Sequence, residues 1–296
     1  MEQNEVIGAY IQGQQTETNP SDFTTKSDGT AYYGDALNDQ NVNEIVGNET
    51  PHVVILVGFP KYGKSTFVAS LYHTILTSGG IGKYRFIDSE TIAGFERRAQ
   101  VRKIEHELKD RIDRTPVYAD YFLSLLFEHE ETGKRTKLVL SDRSGENYKD
   151  YATSESLIND DMALKHASHI VFFLDATKLS SNDFFDVLSD LNQLITRIKK
   201  YGAFGDDKVV DVVFNKIDKI TVADTNYNTN KEQIVQQIKR KTSVHKTFEI
   251  SSLSVPDNEK LNDFFRYLLE ISPNEKPIEY NLKSKLDWVS KKLTNM

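Results

Sequence analysis

Residues 52–65 constrain the fold of this chain more than any other stretch. His52 to Val57 reads HVVILV, an unbroken apolar run, and it passes directly into Gly58-Phe59-Pro60-Lys61-Tyr62-Gly63-Lys64-Ser65. A continuous apolar run ended by turn residues suits a strand buried on both faces, which requires helices on each side of its sheet. TFVASLYHTIL follows at helical spacing and is closed by Gly79, Gly80 and Gly82. The octapeptide fits GxxxxGK[ST] in a strand–turn–helix setting. Phosphate groups need converging backbone N–H donors, the positive end of a helix and a cation. Gly58, Tyr62, Gly63, Lys64, Ser65 and Thr66 make up that cradle, with Lys64 directed at the β and γ phosphates of a nucleotide and the Ser65 hydroxyl at Mg²⁺.

The rest of the chain repeats the alternation. Residues 84–87 suit a short strand, and 90–113 form a charged, helix-favouring stretch. YFLSLLFEHE and TKLVLS read as two strands joined in a hairpin at Glu131-Thr132-Gly133-Lys134. HIVFFLD (169–175) and VVDVVFN (209–215) are again buried-strand runs, separated by an amphipathic helix over 181–200. A helix near 230–241, the strand FEIS (248–251) and a helix near 258–271 complete the pattern. The fold expected is α/β and doubly wound, a mostly parallel sheet with one antiparallel edge strand supplied by the 120–140 hairpin. It forms one domain over 51–272, with a polar N-terminal extension (1–50) and a C-terminal helical tail (273–296).

Composition removes whole classes of chemistry. The 296 residues include no cysteine, which excludes disulfides, zinc ribbons, iron–sulfur ligation and thiol catalysis. Residues 1–50 hold nine acids against the single base Lys26, while the whole chain carries −7, so the body is close to neutral. A near-neutral body offers no electrostatic footprint for nucleic acid. No run approaches the length of a membrane span, and no secretory signal is evident, so the expected location is the cytoplasm. The acidic extension reads as disordered, or as a segment that orders on the body or a partner through Val6, Ile7, Tyr10, Ile11, Tyr32 and Tyr33. In the tail, Leu282, Leu286, Val289 and Leu293 share a helical face beside Trp288, suited first to docking on the body, then to a partner, and least to a membrane surface.

The nucleotide base is addressed by Asn215-Lys216-Ile217-Asp218, at the end of a buried strand. Asp218 is placed to accept from guanine N1–H and N2–H₂, a donor pair that adenine lacks. Asn215 would brace the loop and the Lys216 stem would lie over the base. On the next strand, Ser251-Ser252-Leu253 resembles the third guanine-contacting loop of the regulatory GTPases, usually Ser-Ala-Lys, with Ser252 for the alanine and Leu253 for the lysine. Asp142-Arg143-Ser144-Gly145-Glu146 supplies DxxG: Asp142 would reach Mg²⁺ through a water, and the Gly145 N–H would sense a γ-phosphate. Thr115, in Arg114-Thr115-Pro116, is favoured over Thr91 as the threonine that closes over the metal.

These five elements, in this order, resemble the TRAFAC-class GTPases, and within that class the bacterial double-GTPase families of conflict and anti-phage systems. The narrower resemblance rests on the YRFIDSETIAGFE block, the Arg-Thr pair and DxSGE. It implies a GTP-dependent, Mg²⁺-requiring switch that works with an effector or partner GTPase, or as a homodimer. Glu146 stands where Ras-like proteins carry a water-orienting glutamine, which implies slow unaided turnover. Ras itself hydrolyses GTP at about 10⁻⁴ per second, and an arginine finger adds roughly 10³- to 10⁵-fold. Lys61 occupies the position of a cis arginine finger in guanylate-binding proteins, and Lys61 or Arg143 is a candidate for stabilising transition-state charge. Lys64, Thr115, Gly145, Glu146 and Lys61 are thus the expected catalytic set. A GTP-binding adaptor with negligible turnover is the alternative, and a P-loop ATPase or nucleotide kinase is the third reading, disfavoured by the NKID tetrapeptide.

Overall fold

A computed structural model describes residues 36–37, 51–103, 121–154, 156–159, 161–221, 224–253 and 258–271. The expected tail helix, Thr115 and the extension anchors lie outside these residues. HVVILV forms β1 (His52–Val57), and the loop after it leads into α1 (Lys64–Ser78). Then come β2 (Gly80–Ile81), β3 (Tyr84–Asp88), α2 (Ile92–Lys103), β4 (Tyr121–His129) and β5 (Arg135–Asp142). Short helices α3 (Gly145–Thr153), α4 (Ser156–Asn159) and α5 (Met162–His166) precede β6 (His169–Asp175) and α6 (Ala176–Leu179). The chain continues through α7 (Phe184–Tyr201), β7 (Val209–Asn215), α8 (Thr225–Lys239), β8 (Lys246–Glu249) and α9 (Glu259–Glu270).

The strands form one eight-stranded sheet in the order β2-β3-β4-β5-β1-β6-β7-β8. β5, β1, β6, β7 and β8 run parallel, and β4 pairs antiparallel to β5 through the expected hairpin. The antiparallel edge extends past β4 into β3 and the two-residue β2. The connection after β1 runs towards β2 and the one after its neighbour β6 runs towards β7, so the carboxyl ends of β1 and β6 flank the switch point where such sheets bind ligands.

Alternation along the central strands explains their unbroken hydrophobicity. Ile55, Val57, Ile170, Phe172, Val212 and Phe214 face a core shared with α3 to α8. Val54, Leu56, Val171, Phe173 and Val213 face a second core under α1, α2 and α9. There Phe67 of α1 meets Phe173, Phe264 and Phe265 at ring-centroid distances of 5.1, 5.4 and 5.1 Å. Both faces of these strands are therefore covered over most of their length, and the loops at their carboxyl ends rest on a rigid platform.

Two features add to this frame. Leu37 is fully buried and forms an antiparallel bridge with Phe122, each residue's N–H donating to the other's carbonyl at 2.9 and 2.8 Å. It takes up the edge of β4 beyond the last β3 pair, Asp88–Leu126, so this part of the extension orders on the body. At the opposite end of the strands from the switch point lies a buried polar chain. His52 Nδ1 donates to the Leu268 carbonyl (3.0 Å), His52 Nε2 is 3.3 Å from His169 Nδ1, and His169 Nε2 is 2.8 Å from Asp211. Asp211 also accepts from Tyr267 (2.6 Å) and the Lys246 N–H (2.7 Å). His169 thus has a structural place in the sheet.

Candidate functional site

Beyond β1 the chain turns through Gly58–Gly63 and enters α1. Gly63 has φ +92°, and a Cβ there would overlap the Asn215 side-chain nitrogen, so glycine is required both for the turn and for that approach. No side chain caps α1, which leaves its first-turn N–H groups directed at the loop, an arrangement that favours an anion. Lys64 is 6% exposed, donates to the Gly58 and Phe59 carbonyls, and lies 5.5 Å from the centroid of the Tyr148 ring. Burial lowers its pKa from 10.5 to about 8, against the opposing pull of Asp142 and Glu146. A desolvated ammonium of this kind has little water to lose when it meets a phosphate. Tyr62, by contrast, turns its ring into the core, edge-on to Phe59 at 5.7 Å, and serves the loop through its backbone. Thr66 is half-buried, and its carbonyl accepts from Ser70 at 2.7 Å. Lys61 is exposed at the loop tip with φ +67°, a left-handed conformation that is strained for a side chain with a Cβ.

The metal-directed residues converge at the start of α1. Ser65 donates to Asp142 Oδ1 at 3.0 Å, and Asp142, at the end of β5, is buried. Two oxygen groups in contact suit a hard divalent cation such as Mg²⁺, so Ser65 and Asp142 fit that role. The other carboxylate oxygen receives Arg98 Nε of α2 at 2.5 Å. Gly145 begins α3 directly beneath the phosphate loop: a Cβ there would overlap the Pro60 nitrogen, so only glycine permits this approach of the two backbones. Ser144 caps α3 by accepting the Glu146 N–H at 3.3 Å, which leaves the Glu146 carboxylate in the first turn to act on Lys64 electrostatically. Thr91, the rival to Thr115, is fully buried, donates to the Ser124 carbonyl (3.3 Å) and accepts the Ser124 N–H (2.9 Å). It holds α2 to β4. The candidacy of Arg143 is corrected: its side chain has no exposed surface and forms an ion pair with Asp161, the cap of α5.

At the base-directed end, Asn215 ties three segments together. Its side-chain nitrogen donates to the Tyr62 carbonyl at 2.9 Å, and its oxygen accepts from the backbone and hydroxyl of Ser252, each at 3.0 Å. Lys216 has φ +67° and reaches Asp175 Oδ2 at 2.5 Å. Asp218 lies exposed in a 3-10 turn (Ile217–Lys219) and accepts a hydrogen bond from Ser251. The Ser251 carbonyl in turn accepts from Asn258, the cap of α9, at 2.7 Å, and the Ser252 carbonyl accepts from Ser70 of α1. Leu253 is 56% exposed beside them. A cleft of about 380 Å³ opens along Asp218, with Thr177, Ser180, Lys219 and Thr221 in its wall.

Three neighbours of the site escaped the sequence reading. Asp175 closes the run HIVFFLD and pairs in register with Asn215, so an acid ending a buried strand next to NKxD was the available signal. Tyr148 lies one helical turn after Gly145 and carries the ring near Lys64. Arg98 had no local signature within a charged stretch. Chemically, the arrangement offers backbone donors and a buried ammonium to an anion, paired oxygens to a divalent cation, and one exposed carboxylate at the far end.

The sequence matches the family described as Double-GTPase 2 over residues 52–269. No curated protein matches it significantly. Similar solved structures include a bacterial selenocysteine-specific elongation factor, EF-Sec, at 14% identity and TM-score 0.42, covering 76% of this chain and 30% of that one. Another is the elongation factor SelB of Methanococcus maripaludis with the GTP analogue GppNHp, at 13% identity and TM-score 0.37, covering 74% and 34%. A third is a GTP-binding protein of Sulfolobus solfataricus with GDP, at 14% identity and TM-score 0.40, covering 77% and 53%. The chain thus spans about a third of the two elongation factors and about half of the Sulfolobus protein.

Proposed function

The chain belongs to the Double-GTPase 2 family, and from that premise we propose that it hydrolyses GTP as an Mg²⁺-dependent switch that acts on a partner protein. The observation that carries this reading is the Asn215 knot. One side chain holds the phosphate loop at Tyr62 and the second base loop at Ser252, so the two ends of a bound nucleotide would be read by a single connected unit.

In this reading the first-turn amides of α1 and Lys64 bind the β and γ phosphates, and Asp218 accepts from the guanine edge, held in place by Ser251. Ser65 and Asp142, with Thr115, are the residues that would hold Mg²⁺. Bound there, the metal would supply positive charge that neutralises the phosphates. The Gly145 N–H faces the γ-phosphate, and Glu146 orients the attacking water. The water oxygen bonds to the γ phosphorus while the bond to the β–γ bridging oxygen breaks. GDP leaves with that oxygen, and the water's proton goes to the phosphate product. Lys61, exposed at the loop tip, adds positive charge to the transition state when a second copy or a partner GTPase covers it. A bacterial signalling or defence setting in the cytoplasm is the context that fits the family resemblance.

The test is GTP turnover by the purified chain as its concentration is raised, with Lys64→Ala as the blank and Lys61→Ala alongside. Turnover per subunit that rises with concentration, and is lost in Lys61→Ala, supports the proposal. Concentration-independent turnover that is intact in Lys61→Ala removes Lys61 and the dimer from it. GTP binding without turnover at any concentration makes the chain an adaptor.

A further inference from the structure

Asp142 has a second cationic neighbour besides the metal expected at the site. Arg98 comes from α2, which is fixed against α1 by Phe95 stacked on Tyr72 at 5.4 Å and by the Tyr72 hydroxyl donating to Glu96 at 2.5 Å. This anchoring aims Arg98 at the first turn of α1. Its Nε lies 2.5 Å from Asp142 Oδ2, its Nη1 donates to the Gly94 carbonyl at 2.8 Å, and its guanidinium carbon lies 5.6 Å from the centroid of the Tyr121 ring. The side chains are 13% exposed for Arg98 and 1% for Asp142. Ser65 holds the other oxygen of the same carboxylate.

We propose that Arg98 is a built-in competitor of Mg²⁺ for Asp142, so that metal loading and the seating of Arg98 exclude each other. A guanidinium stays charged at every pH of interest. A divalent cation brought to Ser65 and Asp142 meets that charge in a partly buried place where salt screens poorly. Tyr121, which backs the guanidinium, stabilises the seated form. The metal therefore binds more weakly than its oxygen ligands alone would allow, and whatever draws Arg98 away, such as the phosphates themselves, raises metal affinity. Linkage makes this reciprocal: Mg²⁺ releases Arg98 from Asp142. The inference rests on the nucleotide reading above and deepens it by assigning the metal step a regulator within the chain.

The experiment follows release of a fluorescent GDP analogue from the full chain while Mg²⁺ is titrated, in wild type, Arg98→Gln, Arg98→Lys and, as a control on the same helix, Arg97→Gln. Arg98→Gln is expected to lower the Mg²⁺ concentration for half-maximal slowing of release by at least about fivefold. Arg98→Lys keeps the charge but loses the Gly94 bond and the Tyr121 contact, so its midpoint should fall between wild type and Arg98→Gln, while Arg97→Gln should stay near wild type. Hydrogen exchange gives a readout independent of turnover: amides around Gly94 and Arg98 in wild type should exchange faster with Mg²⁺ and GDP than with GDP and chelator. An unchanged or higher Mg²⁺ midpoint in Arg98→Gln, or an equal fall in Arg97→Gln, overturns the competition. If wild type fails to bind the analogue at all, the nucleotide reading itself fails, and that result is separable from the others.

Discussion

Lys64 offers the sharpest conflict between stability and function. The residue is 6% exposed, its ammonium is hydrogen-bonded to backbone carbonyls, and its pKa falls from 10.5 to about 8 because it is desolvated. A fall of that size means the charged form is disfavoured by about 3 kcal/mol relative to water. Replacing Lys64 with Met keeps the stem's volume and removes the charge, at the loss of hydrogen bonds worth about 1 to 2 kcal/mol. Lys64→Met should therefore stabilise the nucleotide-free protein at pH 7 by about 1 to 2 kcal/mol while abolishing nucleotide binding. The sign of the pH dependence follows from the direction of the shift. Between pH 8 and 10.5 the unfolded chain holds the Lys64 proton more tightly than the folded one, so wild-type stability rises with pH there. The advantage of Lys64→Met should shrink by about 2 kcal/mol between pH 7 and pH 9.5. Urea unfolding of both proteins at the two pH values measures this. A variant less stable than wild type at pH 7, or a difference that does not change with pH, would mean that burial does not penalise the Lys64 charge.

Two further perturbations follow from the buried networks. Asn215→Ala removes the bonds to Tyr62 and Ser252 together and should cost about 2 to 3 kcal/mol in chemical unfolding, with GDP release faster by tenfold or more. His52 is held neutral by burial, with a further push from His169, its pKa lowered from 6.5 to about 3. The unfolded chain takes up that proton first as pH falls below 6.5, so stability should drop by about 2 kcal/mol between pH 7 and pH 5 on this account. His52→Asn keeps a donor for the Leu268 carbonyl and should flatten that part of the pH profile, whereas an equally steep profile would assign the acid loss elsewhere.

What could be read in advance followed from how local each signal was. HVVILV with the glycine-rich turn, and VVDVVFN with NKID, are continuous strings whose meaning depends on residues within one strand and one turn. The structure places Asn215 and Ser252 together because β7 and β8 are parallel neighbours. The two-residue β2 is too short to show a period, so the breadth of the antiparallel edge was invisible. α8 begins at Thr225, earlier than expected, because Asp224 caps it through the Tyr227 N–H at 2.9 Å, and the polar run TNYNTN hid the helical face. Leu37 is one apolar residue in a polar segment, and only the exposed edge of β4 gives it a place. Arg98 and Arg143 show the limit most clearly. Both are cations in charged surroundings, and only tertiary structure sets one on Asp142 and buries the other against Asp161.

In the proposed function, one connected site reads phosphates through Lys64 and guanine through Asp218. Asp218 is exposed and lies outside the core, so its replacement leaves the fold intact. Equilibrium binding of GDP, GTP and ATP with Mg²⁺, in wild type and Asp218→Ala, tests it most directly. Wild type should bind both guanine nucleotides and prefer them to ATP, and Asp218→Ala should lose about ten- to a hundredfold of that affinity, the worth of hydrogen bonds to a charged group. Equal binding of ATP and GTP by wild type, or undiminished GTP binding by Asp218→Ala, would contradict it.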